Sequence, residues 1–169
     1  MYSEENGLMK LVKLIIWGLI ALYLQVLFIP KLSLGGIEPN LMIPFIIFCS
    51  ITLPESPSLL IAFLGGLGLD ILQPEVFGIY SFSFIIIAFI VSRLHQNVNK
   101  KQVGLIAISL FFINFIFSFL IFWAYAIQVE ISFTLLLNSA LATFYNWLFS
   151  FVMIYLLVFW DRLRVSIND

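Results

Sequence analysis

The chain has 169 residues, of which 63% are hydrophobic and 10% charged, with a mean hydropathy of +1.13. That composition excludes a water-soluble globular domain, and the length leaves no room for one beside a set of membrane helices, so a single integral membrane domain over residues 1–169 is expected. A formal net charge of −1 without any Lys/Arg cluster excludes nucleic acid as a partner, and the single cysteine, Cys49, has no thiol to pair with and reports no redox compartment.

The N-terminal residues Glu4, Glu5, Lys10 and Lys13 lead into an apolar run over residues 14–29. The run is too long for a signal-peptide core and lacks a small-residue cleavage site, so it reads as an uncleaved first helix. Two shorter runs follow, 41–53 and 58–72, joined by the turn Pro54-Glu55-Ser56-Pro57. At 1.5 Å per residue the second spans only ~22 Å against a hydrocarbon core of ~30 Å. The pair therefore crosses tilted in a thinned region or forms a re-entrant hairpin, and both give the same sidedness. Runs over 76–92 and 103–127 come next. The last, 133–160, exceeds the ~20 residues a span needs, so it tilts or projects, with Trp160, Arg162 and Arg164 as an interfacial anchor. The expected fold is an all-α transmembrane bundle of six helices, the second and third short.

Basic residues near helix ends are retained in the cytoplasm. Six crossings with the N-terminus inside place Lys10, Lys13, Arg93, Lys100, Lys101, Arg162 and Arg164 on the cytoplasmic side and only Lys31 outside. Both termini are then cytoplasmic.

Polar residues inside the apolar runs are few and patterned. Ser58, Ala62, Gly66 and Asp70 recur every four residues, which gathers small side chains and a carboxylate on one helix face. Asn138, Ala142, Asn146 and Ser150 form a second stripe on the last helix, and Asn114 with Ser118 a third on the fifth. In lipid, small residues allow close van der Waals approach and amide side chains bond across interfaces for ~0.6 to 2 kcal/mol each, so these stripes face one another. A carboxylate near the centre of a membrane helix costs ~2.5 to 3.5 kcal/mol, so Asp70 needs a partner, a cavity or a task. It is read either as a ligand or proton site, or as a structural carboxylate that accepts hydrogen bonds from Asn or Ser side chains or backbone amides, or carries a proton. The structural reading is favoured.

Nothing in the sequence points to catalysis or to a cofactor. His95 is the only histidine, which excludes a multi-histidine metal site, and it sits between Arg93 and Gln96 as a lone loop residue. There is no Gly-x-Ser-x-Gly elbow, no His-Glu-x-x-His and no pair of intramembrane carboxylates. Gly65-Gly66-Leu67-Gly68 lies in an apolar helix without a neighbouring basic residue, so it is no phosphate loop. An enzyme is not expected.

Three pieces occur in order: Ile37-Glu38-Pro39-Asn40-Leu41-Met42, then Gly65-Gly66-Leu67-Gly68-Leu69-Asp70, then Phe77-Gly78-Ile79-Tyr80. With the length, the six-helix layout and a first helix ending in Gln25 to Pro30, the chain resembles the MreD family of bacterial rod shape-determining membrane proteins. The resemblance implies a non-enzymatic scaffold of the cell-elongation complex in the cytoplasmic (inner) membrane. It also implies a bitopic MreC-like partner, the side-wall peptidoglycan glycosyltransferase and transpeptidase, and an indirect link to MreB filaments. It further implies a helix arrangement similar to the substrate-binding subunits of vitamin uptake transporters. One departure is Glu55, an acid in a turn where members often carry a basic residue.

The same residues make sense without the name. Pro39 suits a helix start, where first-turn amides lack intrahelical partners, and Asn40 can bond those orphan groups. Asn40, Asp70 and Tyr80 all return to the outer end, where they are expected to form one polar cluster pinning the short helix pair to its neighbours. The alternative is a vitamin-type binding subunit in which Asp70, Asn138 and Asn146 line a cavity.

Overall fold

The computed structural model describes residues 2–95, 103–127 and 132–167. Six helices account for most of them: α1 (Tyr2–Leu27), α2 (Met42–Thr52), α3 (Glu55–Leu72), α4 (Ile79–His95), α5 (Val103–Ala126) and α6 (Phe133–Ile167). Among the described residues the only β feature is an isolated bridge between Leu34 and Ile37. Among the described residues, three stretches are long and apolar enough to cross a bilayer, Glu55–Leu72, Ile108–Ala126 and Phe133–Leu157, and Leu11–Leu27, Met42–Thr52 and Ile79–Leu94 are shorter apolar helices. The protein is an all-helical membrane protein.

The helices begin and end where backbone chemistry dictates, which differs in places from the limits of the apolar runs. Helix α1 begins at Tyr2 and not at residue 14, because hydropathy locates only the span, and good helix formers such as Glu4, Glu5, Leu8, Met9 and Lys10 extend the helix before it. Helix α3 begins at Glu55 and not at residue 58, since Pro57 is tolerated in the first turn, where its missing N–H has no intrahelical partner. Helix α4 starts three residues later than expected. Gly78 adopts φ +90, which no helix contains, and Pro74–Val76 forms a separate 3-10 turn before it. Helix α4 also runs on through Arg93 to His95, so His95 ends a helix, while Gln96, Lys100 and Lys101 lie outside the described residues. Trp160, Arg162 and Arg164 continue α6, and their side chains lie outside what is described.

Helix α2 is the hub. It touches α1, α3, α4 and α6, while α1 packs on α3, α3 on α4, α4 on α5 and α5 on α6. Residues 42–47, Cys49 and Ser50 are all buried, as expected for a helix apolar on every side. At 11 residues α2 is ~16 Å long, whereas the 18 residues of α3 cover ~27 Å. The two run from a common short turn at residues 53–54, so the start of α2 stops well short of the end of α3. Side-chain contact agrees: the Met42 methyl lies against Gly65, ~10 Å along α3 from Leu72. The chain entering α2 therefore dips into the bundle at the end that carries segments 28–41 and 73–78, hereafter the distal end.

The tightest helix pair is α3 with α4, and the small-residue stripe forms its seam. Ser58, Ala62, Gly66 and Asp70 are all buried. A Cβ added at Gly66 would stand 2.4 Å from the Ser81 Cα and 2.5 Å from its nitrogen. At Gly65 the corresponding neighbour is only the terminal methyl of the flexible Met42 side chain, at 2.7 Å, and at Gly68 it is a Leu22 methyl at 2.2 Å. Gly66→Ala, which presses on backbone, is expected to lose roughly 1–3 kcal/mol or more, against a much smaller change for Gly65→Ala. Thermal denaturation in detergent checks this order, and equal midpoints for the two variants would contradict it.

Candidate functional site

The first turn of any helix leaves backbone N–H groups without partners, and hydrocarbon supplies no water to satisfy them. At the start of α4 the partner is Asp70, from the last turn of α3. Its Oδ1 accepts from the Tyr80 N–H at 2.9 Å, and its Oδ2 accepts from the Ser81 N–H at 3.0 Å and the Ser81 hydroxyl at 2.5 Å. The carboxylate is fully buried and caps a helix other than its own. Its acceptor oxygens also face the positive end of the α4 dipole. Two glycines make the approach feasible: Gly66 lets α4 cross against α3, and Gly78 at φ +90 redirects the chain into α4. Tyr80 then points its ring into a cluster with Phe84 and Phe117, with centroids 6.2 and 6.1 Å away, while its hydroxyl donates to Gln73 Oε1 at 2.6 Å.

A second polar centre holds the entry to α2. Pro39 is fully buried, and Asn40 and Leu41 are buried beside it. Asn40 Oδ1 accepts from the Met42 and Ile43 N–H groups at 2.9 and 3.3 Å, satisfying the first turn of α2. The Asn40 N–H itself donates to Asn146 Oδ1 of α6 at 2.6 Å. From α1, Gln25 straddles the same three residues: its Oε1 accepts from the Leu41 N–H at 2.6 Å and its Nε2 donates to the Pro39 carbonyl at 3.2 Å. Tyr145, next to Asn146, donates its hydroxyl to the Leu32 carbonyl at 2.7 Å. The non-helical approach to α2 is thus held between α1 and α6 by side chains acting on backbone.

These two centres are the three-piece motif set given three-dimensional form. A family model described as rod shape-determining protein MreD matches residues 6–163. The chain belongs to the MreD family. No curated protein and no solved structure matches it. Membership of the MreD family carries a role in rod shape determination and involvement in the rod-shape complex.

For this MreD-family chain the motif residues fall into two centres where one was expected. Asp70 and Tyr80 meet, through the Tyr80 backbone N–H. Asn40 makes its bonds with Asn146, Met42 and Ile43. The depth of α2 explains the separation, since its start lies nearer Gly65 than Asp70. Asn114 and Ser150 do meet across α5 and α6, with Ser150 Oγ donating to Asn114 Oδ1 at 3.4 Å, and Asn114 Nδ2 donates to the Leu110 carbonyl at 2.8 Å. Asn138 faces away from the bundle and Ala142 is half-buried; the inward line of α6 is Thr143, Asn146, Ser150 and Ile154. The three residues that a ligand cavity would require do not converge. Asp70 is spent on α4, Asn146 on Asn40, and Asn138 is exposed. Gln25, Gln73, Ser81 and Tyr145 complete the two centres, and the signal for Gln25 and Gln73 was a lone amide at the edge of an apolar run.

Asp70→Leu strands two helix-terminal amides and a hydroxyl in a dry interior and is expected to lose roughly 3 kcal/mol or more, against about 1 kcal/mol for Ser81→Ala. The measurement is the unfolding midpoint in detergent and the amount of protein in the membrane. An Asp70→Leu variant as stable as the parent would refute the capping role. In the second centre, Asn146→Leu orphans the Asn40 N–H and costs about 1–3 kcal/mol, whereas Asn138→Leu leaves the midpoint unchanged. The same assay separates them.

Proposed function

We propose that this chain is a non-enzymatic scaffold of the bacterial cell-elongation complex. It lies in the cytoplasmic membrane with both termini inside, binds an MreC-like bitopic protein and thereby helps regulate side-wall peptidoglycan synthesis. The glycosyltransferase and transpeptidase of that complex are its further partners, and MreB filaments are reached indirectly. The observation that carries this reading is the family match over residues 6–163. The polar chemistry of the motif supports it. Asp70, Asn40 and Asn146 have their hydrogen-bonding capacity directed at the chain's own backbone, which suits a rigid platform better than a site that acts on a substrate. Sidedness is supported by the placement of seven of the eight Lys and Arg residues.

Two experiments test the reading. Affinity purification in mild detergent is expected to retain an MreC-like partner, while thermal-shift screening against vitamins gives no saturable response. Depletion of the protein in a rod-shaped host is expected to round the cells. A saturable vitamin response together with loss of the partner would replace the scaffold with a transporter subunit.

A further inference from the structure

We propose that the distal segment 28–41 is a lipid-embedded strap, lying at the boundary between acyl chains and headgroups with Phe28, Leu32 and Leu34 in contact with lipid. Three independent features of the segment argue for a lipid surface as its partner.

The first is hydrogen bonding. A loop in water can leave its amides to the solvent, whereas a loop at membrane depth must satisfy them within the protein. Here Phe28, Lys31 and Ser33 donate to the carbonyls of Leu24, Phe28 and Pro30. Leu34 and Ile37 exchange both bonds of a tight turn, at 3.0 and 3.1 Å, made possible by Gly35 and Gly36 at φ +60 and +83. The Asn40 and Leu41 amides go to Asn146 and Gln25, and the Leu32 and Pro39 carbonyls receive Tyr145 and Gln25. The second is the outward surface. Leu34 is 64%, Phe28 58% and Leu32 46% exposed, an apolar set on a segment seven of whose backbone amides are bonded within the protein. The third is depth. The strap ends at the start of α2, beside Gly65 and ~10 Å along α3 from its distal end, so its last residues sit deeper in the bundle than the end of α3. Lys31 fits the same placement: its ammonium sits 5.1 Å over the Phe28 ring, where an apolar stem lies in lipid and the charge reaches the headgroups. The inference is independent of which way the bundle faces.

The test uses the full chain with Leu34→Cys in a Cys49→Ala background, carrying a nitroxide label and reconstituted without any partner into phosphatidylethanolamine/phosphatidylglycerol vesicles. Collision rates with oxygen and with a water-soluble nickel chelate are compared. The label at 34 is expected to favour oxygen over nickel several-fold, in the direction shown by a Phe115→Cys control on the exposed face of α5. Leu32→Cys gives a second reading should the first variant fold poorly. Free access of nickel at both positions would overturn the proposal by placing the strap in water. Shielding from both reagents would equally overturn it, in favour of a protein surface covering the segment.

Discussion

The constraint on which the bundle depends is that lipid hydrates nothing, and Asp70 is where this is felt most directly. Helix α4 starts inside the protein, after a glycine that breaks the chain direction, so its leading amides have neither a preceding turn nor water. The carboxylate that answers them comes from α3, and it can do so only because Gly66 allows the α4 backbone to lie within a Cβ radius of α3. A buried carboxyl group that would otherwise be costly in lipid is offset by two amides, a hydroxyl and the helix dipole. The closeness of α3 and α4 and the presence of Asp70 are therefore one fact: the glycine without the carboxylate leaves orphan donors, and the carboxylate without the glycine cannot reach them.

The same solution recurs at the start of α2. There the problem is larger, because three residues of non-helical backbone are buried together with the first turn. Gln25 and Asn40 meet it with carboxamides, and Asn146 contributes its Oδ1 from the far side, since a carboxamide can donate to a carbonyl and accept from an amide at once. Donation to the Pro39 carbonyl lies beyond a carboxylate, which only accepts. At α4 every group to be satisfied is a donor, and a carboxylate is the better acceptor. The choice of Asp in one place and of Gln and Asn in the other follows from what each stretch of backbone lacks.

Much of the architecture was legible in the sequence because hydropathy reports where lipid is and four-residue spacing of small residues reports where helices approach. Asp70 stood out as a lone carboxylate in a run of apolar residues. Its partners did not, since they are mostly backbone amides, which every residue carries and no sequence displays. Asn40 stands apart from Asp70 because the apolar runs conceal that α2 begins deeper in the bundle than α3 ends. Asn138 failed for a geometric reason. A four-residue step advances ~40° around an α-helix, so three steps back from Ser150 drift by ~120° and leave the inward face. Thr143, one place along from Ala142, takes up the inward line instead.

Among the described residues, the large side chains exposed on α1, α5 and α6 are mostly apolar. Asp70, Asn40, Asn114 and Asn146 are turned inward, and the ion pair of Arg93 with Glu55 at 3.3 Å ties α4 to α3 at a solvent-exposed edge where such pairs contribute little. It also gives the acid in the 54–57 turn a basic partner within the chain. A partner meeting this protein within the membrane thus finds Phe and Leu side chains on α1, α5 and α6 in place of charges to read. In lipid, apolar surface gives no drive of its own, so recognition must come from shape and close packing. Such recognition works only if the surface keeps its shape. The two buried polar centres supply that rigidity: by fixing where α2 and α4 begin, they fix where the faces of the outer helices stand.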